Sequence, residues 1–391
     1  MEASVRKLIG NVFNQIADGL ETGTFARKTR VGITTLGNEH GVMELVKGAE
    51  MAAESDPTLE VVLIGPGEGS TLETVEVKDE HEMHDRMEQL LDSGAIDCCV
   101  TQHYNFPIGV STVGKVVTPG AGREMYLATT TGTSAVNRVE AMVRNAVYGI
   151  AVAKAMGNMN PTVGILNLDG ARQVERILLE LKGNGYGINF SESLRKDGGY
   201  VMRGNDLLAG TPDIMVTDTL TGNLLMKIFS SYTTGGDYEA VGYGYGPGVG
   251  DNYSRIILIL SRASGAPVAA NAIKYAARLA RGELARIVST EMAEARKAGL
   301  DDVLLKQKKD QITEKQEGKI EPPPKKVVTA SISGIDIMDL DNAVEVLWKN
   351  RVYAETGMGC TGPVVLVAEE DLENAGKLLA GSGYVTKEVE C

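Results

Sequence analysis

The chain has 391 residues, 43% of them hydrophobic, and a mean hydropathy of -0.07, which provides material for one large core or two medium ones. Its formal charge of -13 would repel phosphate backbones, and no long apolar run is present, so binding to nucleic acid, membrane insertion and export are not expected. Four cysteines without C-x-x-C spacing indicate neither a disulfide framework nor a zinc site, and favour the reducing cytoplasm.

The first 29 residues predict an amphipathic helical lead-in, because apolar residues recur at helical spacing from Val5 to Ile16. From residue 30 the pattern alternates between strands and helices, which favours a mostly parallel sheet covered by helices. Strands are predicted over 30–36, 60–64, 95–101, 162–168, 212–217 and 255–260, and helices over 42–53, 84–93, 138–156, 174–182 and 266–281, with a Gly/Thr-rich loop at 129–134.

The sequence changes character after this main domain, which we place at 30–299. Residues 300–326 are charged and end in three prolines, which predicts a linker or an exposed helical arm with a stiff stop. Residues 327–391 predict a small β-α-β-α module, with strands at 327–332 and 363–368, helices at 340–348 and 371–379, and Cys360 in a Gly-rich central loop.

The most specific motifs lie between residues 160 and 227. The octapeptide 160–167 reads N-P-T-V-G-I-L-N, and 213–227 reads D-I-M-V-T-D-T-L-T-G-N-L-L-M-K. In order and spacing they resemble the P-x-V-G-L-L-N strand and the D-G-F-T-G-N-x-x-L-K segment of the phosphate acyltransferases of phospholipid synthesis. Residues 259–264 (I-L-S-R-A-S) are similar to the L-S-R-G element of phosphate acetyl- and butyryltransferases. This resemblance covers about residues 30–285 and implies an α/β fold in two lobes, of the isocitrate/isopropylmalate dehydrogenase type.

The whole chain resembles a narrower family, the component C alpha subunits of the clostridial-type amino acid reductases. The features that carry this likeness are the long N-terminal lead, the pair Cys98-Cys99 and the segment 356–363, T-G-M-G-C-T-G-P. The resemblance implies release of an enzyme-bound acetyl thioester as acetyl phosphate, with phosphate as substrate and no other cofactor or metal. It also implies a homo- or hetero-oligomeric assembly with a beta subunit and with selenoprotein A of the complex.

Residues for a phosphate site are predicted at two strand ends. Thr221, Gly222 and Asn223 follow an apolar strand, where backbone N–H groups, a helix dipole and side-chain donors favour an anion, although an ordinary Thr-capped turn also fits. Arg262, after Ser261, is expected at the carboxyl edge of the sheet, where its planar fork suits phosphate; a surface ion pair is the alternative. Asp218 is expected to orient the first loop, and Asn167 to support the site.

Cys360 is the best internal thiol, because Gly357 and Gly359 would allow close approach by another protein. A small buried hydrophobe is the alternative. Cys98 and Cys99 should lie on opposite faces of a strand, so only one of them can face the site. Cys98 is predicted to have a supporting role there. Cys391, the last residue, is the weakest candidate.

Several features separate this chain from its coenzyme-dependent relatives. No acid follows Arg262 up to Val268, which weakens a coenzyme A hypothesis. The loop 102–109 replaces an A-G-N-T-G turn, with Asn105 as a supporting amide and His103 as an acid, a base or a spectator. A Gly/Tyr-rich run at 242–250 suggests a substrate lid. The alternatives left open are a free-standing phosphate acyltransferase using coenzyme A or acyl carrier protein, and a non-catalytic scaffold that binds the beta subunit through residues 1–29.

Overall fold

A computed structural model describes residues 27–196, 198–314, 321–359 and 362–385, together with Phe13 and Ile16. The helical lead-in predicted over residues 1–29 therefore falls almost entirely outside the described residues; Phe13 and Ile16 are helical and exposed. Among the described residues, no helix is both long and apolar enough to cross a membrane.

A 12-stranded, mostly parallel sheet forms the centre of the main domain, which confirms the predicted α/β class. Its strand order is β3-β2-β1-β4-β12-β11-β5-β6-β10-β7-β8, and β9 pairs with β7. The strands are β1 (Thr29–Thr34), β2 (Leu59–Ile64), β3 (Glu73–Val75), β4 (Cys98–Thr101), β5 (Val110–Val117), β6 (Glu124–Thr133), β7 (Thr162–Leu166), β8 (Asn189–Phe190), β9 (Val201–Met202), β10 (Ile214–Val216), β11 (Gly246–Gly250) and β12 (Ile257–Ile259).

Helices cover both faces of the sheet, and each predicted helix of the main domain is present. Strands β1 and β2 are buried almost throughout, as expected for parallel strands covered on both sides. The helices are α1 (Val42–Ser55), α2 (Glu80–Asp92), α3 (Arg138–Ala155), α4 (Ala171–Gly183), α5 (Gly204–Ala209), α6 (Thr219–Ser231), α7 (Ala266–Arg281), α8 (Leu284–Lys297) and α9 (Leu300–Glu314).

The middle of the sheet is antiparallel, and here two predictions are wrong. The segment 129–134, predicted as a loop, belongs mostly to β6, which pairs with β5 over seven registered residue pairs. The predicted lid 242–250 contains the fully buried strand β11, which pairs first with β12 and then with β5 and so joins the two halves of the sheet. Glycine and threonine suggested mobile loops in both places, but burial between neighbouring strands holds them as strands.

The predicted linker 300–326 also needs correction at its start. Leu300, Val303 and Leu304 are buried and belong to the core of the main domain, because the first turns of α9 pack on α8 and α4. The charged composition concealed this apolar i, i+3, i+4 face.

The C-terminal module is a three-stranded antiparallel sheet with two helices. The predicted Gly-rich loop before Cys360 is wrong, because residues 354–359 form a strand and the order is β-α-β-β-α. A separate apolar core fills the module. Its elements are β13 (Ala330–Ser333), α10 (Leu340–Lys349), β14 (Ala354–Gly359), β15 (Gly362–Val367) and α11 (Leu372–Gly381).

Candidate functional site

Asp218 caps helix α6, and this cap occupies the backbone donors that were predicted to hold an anion. The Asp218 carboxylate accepts from Thr221 N at 2.7 Å, and the Asp218 carbonyl accepts from Gly222 N at 3.0 Å. The predicted orienting role of Asp218 agrees with this geometry. The predicted use of the Thr221 and Gly222 N–H groups for phosphate does not agree with this geometry. Both donors already have an acceptor, and a carboxylate lies at the helix start.

Gly222 is required for packing. A Cβ atom at this position would lie 1.7 Å from Thr129 O, because α6 crosses β6 at close range. The glycine thus brings the helix against the strand, so packing alone accounts for it, and the predicted close approach of phosphate stays a prediction. Thr221 is half-buried, and the exposed residue Asn223 donates through Nδ2 to Thr130 O at 3.1 Å.

The loop after β12 places Ser261 and Arg262 at the carboxyl end of that strand, as predicted. Arg262 is exposed, and its carbonyl accepts from Glu39 N at 2.8 Å. Ser261 Oγ accepts from Ala263 N at 3.1 Å, and Asn38 Nδ2 donates to Ser264 O at 2.9 Å. The loops after β1 and β12 therefore hold each other in place.

A chain of hydrogen bonds connects α6 to the end of β12. Asn223 donates to Thr130 O, Thr130 Oγ1 donates to Tyr245 O at 2.6 Å, and Tyr245 N donates to Ile259 O at 2.8 Å. Three strands, β11, β5 and β6, lie between β12 and β10 in the sheet, so the two predicted groups of phosphate residues stay at separate strand ends.

Two charged residues near these loops were given no role by the sequence. Glu239 is fully buried, and its carboxylate lies 3.1 Å from Lys227 Nζ and accepts from Ser264 Oγ at 2.9 Å. Lys227 is the last residue of the 219–227 motif, so the motif could have identified it. Glu239 stands in no motif and could not be found without coordinates.

A second region lies where the C-terminal module meets the main domain. A cavity of about 330 Å³ is lined by residues of both parts. The main-domain wall comes from the carboxyl ends of β7 and β9 and from the start of α4, and the module wall comes from the loop after β13 and from β14 and β15. The polar lining residues are Asn167, Asp169, Arg172, Arg195, Arg203, Ser333 and Asp336, and Met358 and Pro363 lie on the module side.

Arg138 connects this cavity to the start of α6. Its guanidinium lies 2.8 Å from the Asp218 carboxylate and 3.3 Å from that of Asp169. Strands β7 and β10 are parallel neighbours, so Asn167 and Asp218 follow adjacent strand ends. The module thus docks beside the α6 start.

The structure describes two of the four cysteines, Cys98 and Cys99. Cys98 and Cys99 are both fully buried, in core clusters on opposite faces of β4 as predicted. Burial raises the pKa of the Cys98 thiol well above its usual value. Cys98 does not line the cavity between the module and the main domain, and its supporting role stays a prediction. Cys360 lies outside the described residues, as does Cys391.

The loop after β4 exposes both His103 and Asn105. Within the described parts of the chain, no three His, Cys, Asp or Glu side chains form a group that could hold a metal ion.

The large, mostly parallel sheet covered by helices defines an α/β protein. Residues 29–366 match the model of the family described as "Fatty acid synthesis protein", and the chain belongs to that family. It is 63% identical, over 98% of this chain and 100% of the relative, to the glycine/sarcosine/betaine reductase complex component C subunit alpha of Peptoclostridium acidaminophilum. The phosphate acyltransferase of Thermotoga petrophila is 27% identical over 51% of this chain and 67% of its own length. A crystal structure of a branched-chain phosphotransacylase from Enterococcus faecalis aligns over 64% of this chain and 99% of its own, with 19% identity and a TM-score of 0.46.

Proposed function

We propose that the chain is the subunit of an amino acid reductase complex that forms acetyl phosphate. An acetyl group is held as a thioester on Cys360. A phosphate oxygen attacks the thioester carbonyl carbon, the carbon–sulfur bond breaks, and the thiolate leaves as acetyl phosphate forms. The scheme uses phosphate as substrate and no other cofactor. It also requires a beta subunit and a selenoprotein as partners in the complex, because the two-carbon group reaches this chain from the selenoprotein.

The position of the C-terminal module is the observation that supports this proposal most. Strands β14 and β15 flank Cys360 in the chain, and their residues Met358, Gly362 and Pro363 line the arginine-containing cavity at the carboxyl ends of β7 and β9. Ligands of open α/β sheets bind at such edges. The 63% identical relative, whose name places it in component C of a reductase complex, supports the same assignment.

The proposal is tested by trapping the thioester. The full-length protein is incubated with acetyl-labelled acetyl phosphate, and the labelled peptide is mapped after acid quenching. We expect hydroxylamine-sensitive label on Cys360, its loss in Cys360→Ser, and full labelling in the control Cys391→Ser. Cys98 and Cys99 should stay unlabelled because both are buried. Label that persists in Cys360→Ser would contradict the proposal.

A free-standing phosphate acyltransferase is the second candidate, and the exposed Arg262 on the loop after β12 favours it. It requires acyl phosphate formation that depends on coenzyme A or acyl carrier protein and survives Cys360→Ser. Full activity of the assembled complex with both Cys360→Ser and Arg262→Ala would instead indicate a scaffold.

A further inference from the structure

Three arginines converge on the cavity between the module and the main domain. Arg172 lies in the first turn of α4, Arg203 directly follows β9, and Arg195 lies on the connection between β8 and β9. All three side chains are half-buried, so water screens their charges less than on an open surface. Asn167, after the neighbouring strand β7, adds an amide to the same wall.

Among the described lining residues, the two carboxylates, Asp169 and Asp336, have partners of their own. Asp169 pairs with Arg138 at 3.3 Å. Asp336 is buried and accepts from Met338 N at 3.0 Å and from Arg172 N at 3.4 Å. Burial raises the pKa of the Asp336 carboxyl, and the nearby Asp339 adds to this rise. The Arg172 guanidinium also bonds Glu175 at 2.9 Å, behind the cavity wall.

Asp206 fixes the two segments that carry Arg195 and Arg203. Its carboxylate accepts from Leu194 N at 2.7 Å, from Arg203 N at 2.9 Å and from Ser193 Oγ at 2.8 Å. The buried carboxylate thus places the backbones of both arginines before any ligand arrives, and such preorganisation reduces the cost of binding.

We propose that this cavity binds inorganic phosphate, and the phosphoryl group of a small acyl phosphate, through Arg172, Arg195 and Arg203. Guanidinium groups suit phosphate oxygens because they offer paired donors with a permanent charge. The cavity volume of about 330 Å³ stands at the lower end of small-molecule pockets, which favours a short acyl phosphate over a long coenzyme arm. The cavity is separate from the Ser261–Arg262 loop. Only its role as the source of the attacking phosphate rests on the proposed function.

Equilibrium binding to the full-length protein tests the inference without requiring any acyl transfer. Inorganic phosphate is titrated calorimetrically into the wild type and into Arg203→Gln and Arg195→Gln. We expect each substitution to raise the phosphate Kd about tenfold or more, because a charge-assisted contact is lost. The matched control is Arg86→Gln, on the exposed face of α2, which should leave the Kd unchanged. Arg203→Lys, which keeps the charge, should fall between wild type and Arg203→Gln and serves if the Gln variant does not fold.

The competing site is tested in the same titration with Arg262→Gln. An increase in Kd for Arg262→Gln, with unchanged values for the Arg195 and Arg203 variants, would overturn the inference. Acetate that binds as tightly as phosphate would also overturn it, since the cavity would then be a carboxylate site. If phosphate binding behaves as expected but Cys360 takes no label, the proposed function fails and the binding site stands. If Cys360 takes the label but phosphate binding does not depend on the arginines, the inferred binding site fails and the proposed function stands.

Discussion

Gly222 shows how a single residue can resemble a ligand contact while serving packing. We expect Gly222→Ala to lower the free energy of unfolding by about 1–3 kcal/mol, because its Cβ would overlap Thr129 O and force α6 away from β6. Urea unfolding followed by circular dichroism measures this. Gly183→Ala, near the end of α4 with no atom close to the added Cβ, is the control and should cost nothing. An unchanged midpoint for Gly222→Ala, together with weaker phosphate binding, would favour the anion role instead.

Asp206 gives a prediction about pH. Although burial opposes its charge, hydrogen bonds from Leu194, Arg203, Ser193 and Thr211 lower the pKa of this carboxyl below its ordinary value of 3.8. Its stabilising contribution is therefore present above pH 3.8 and is lost as the pH falls through the folded-state pKa.

The consequence is measured by comparing wild type with Asp206→Asn. Near neutral pH we expect the substitution to cost about 2 kcal/mol of unfolding free energy, as for other hydrogen bonds to a charged group. As the pH falls below 3.8 toward the lower folded-state pKa, the difference should narrow, because the carboxyl of the unfolded chain takes up its proton before the carboxyl of the folded chain does. Asp302→Asn, at an exposed position of α9, should show no such difference. If the difference in unfolding free energy between wild type and Asp206→Asn stayed constant between pH 7 and pH 3, a lowered Asp206 pKa would be contradicted.

At the scale of elements, Asp339 anchors the C-terminal module to α4. It accepts from Gln173 Nε2 at 2.6 Å and pairs with Arg176 at 2.7 Å. We expect Asp339→Ala to speed hydrogen exchange in β13 and α10 while the main sheet stays protected, at a cost of about 1–2 kcal/mol because Arg176 can regain water. Glu373→Ala, which removes an exposed pair with Lys377 on α11, should leave exchange unchanged. Equal acceleration in β1 and β2 would mean that the two parts unfold together.

How far the sequence predicted the elements depended on what surrounds each of them. Parallel strands such as β2 and helices such as α7 carry their burial in their own apolar pattern, so they were predicted within about two residues. Strand β11 reads G-P-G-V-G, and its strand conformation comes from partners on both sides. Strand β14 was missed for the same reason, because Gly357 packs its backbone on Leu366. Pairing with distant segments decides such strands, and a local pattern does not contain it.

The sequence predicted single site residues, but it did not predict which of them lie together in space. Motifs identified Asp218, Asn223 and Arg262, because short segments carry them. The cavity arginines belong to three separate segments, and their convergence with Ser333 and Met358 depends on how the module docks. Gly222 and the helix start of α6 were assigned to phosphate because a cap and an anion site share one sequence signature, and only the hydrogen bonds of Asp218 distinguish the two.

At the scale of the whole molecule, the cavity couples two parts that have separate cores. A ligand that touches both walls binds the docked arrangement better than the undocked one, so it stabilises docking. The linkage is reciprocal, and a looser module should therefore bind phosphate more weakly.

Phosphate should accordingly slow hydrogen exchange in the module as well as in α4 and α5. At a phosphate concentration 100-fold above Kd, linkage adds about 2.7 kcal/mol to the stability of the docked state, which is measurable as a higher midpoint of thermal unfolding and as added protection in β13 and β15. Arg203→Gln should abolish both effects at the same phosphate concentration, whereas Arg86→Gln should retain them. Asp339→Ala removes the contacts with Gln173 and Arg176 on α4 but none of the cavity arginines, so weaker docking should raise the phosphate Kd. If phosphate protected only the main-domain elements, the module would not form part of the site, and the coupling between the two cores would be absent.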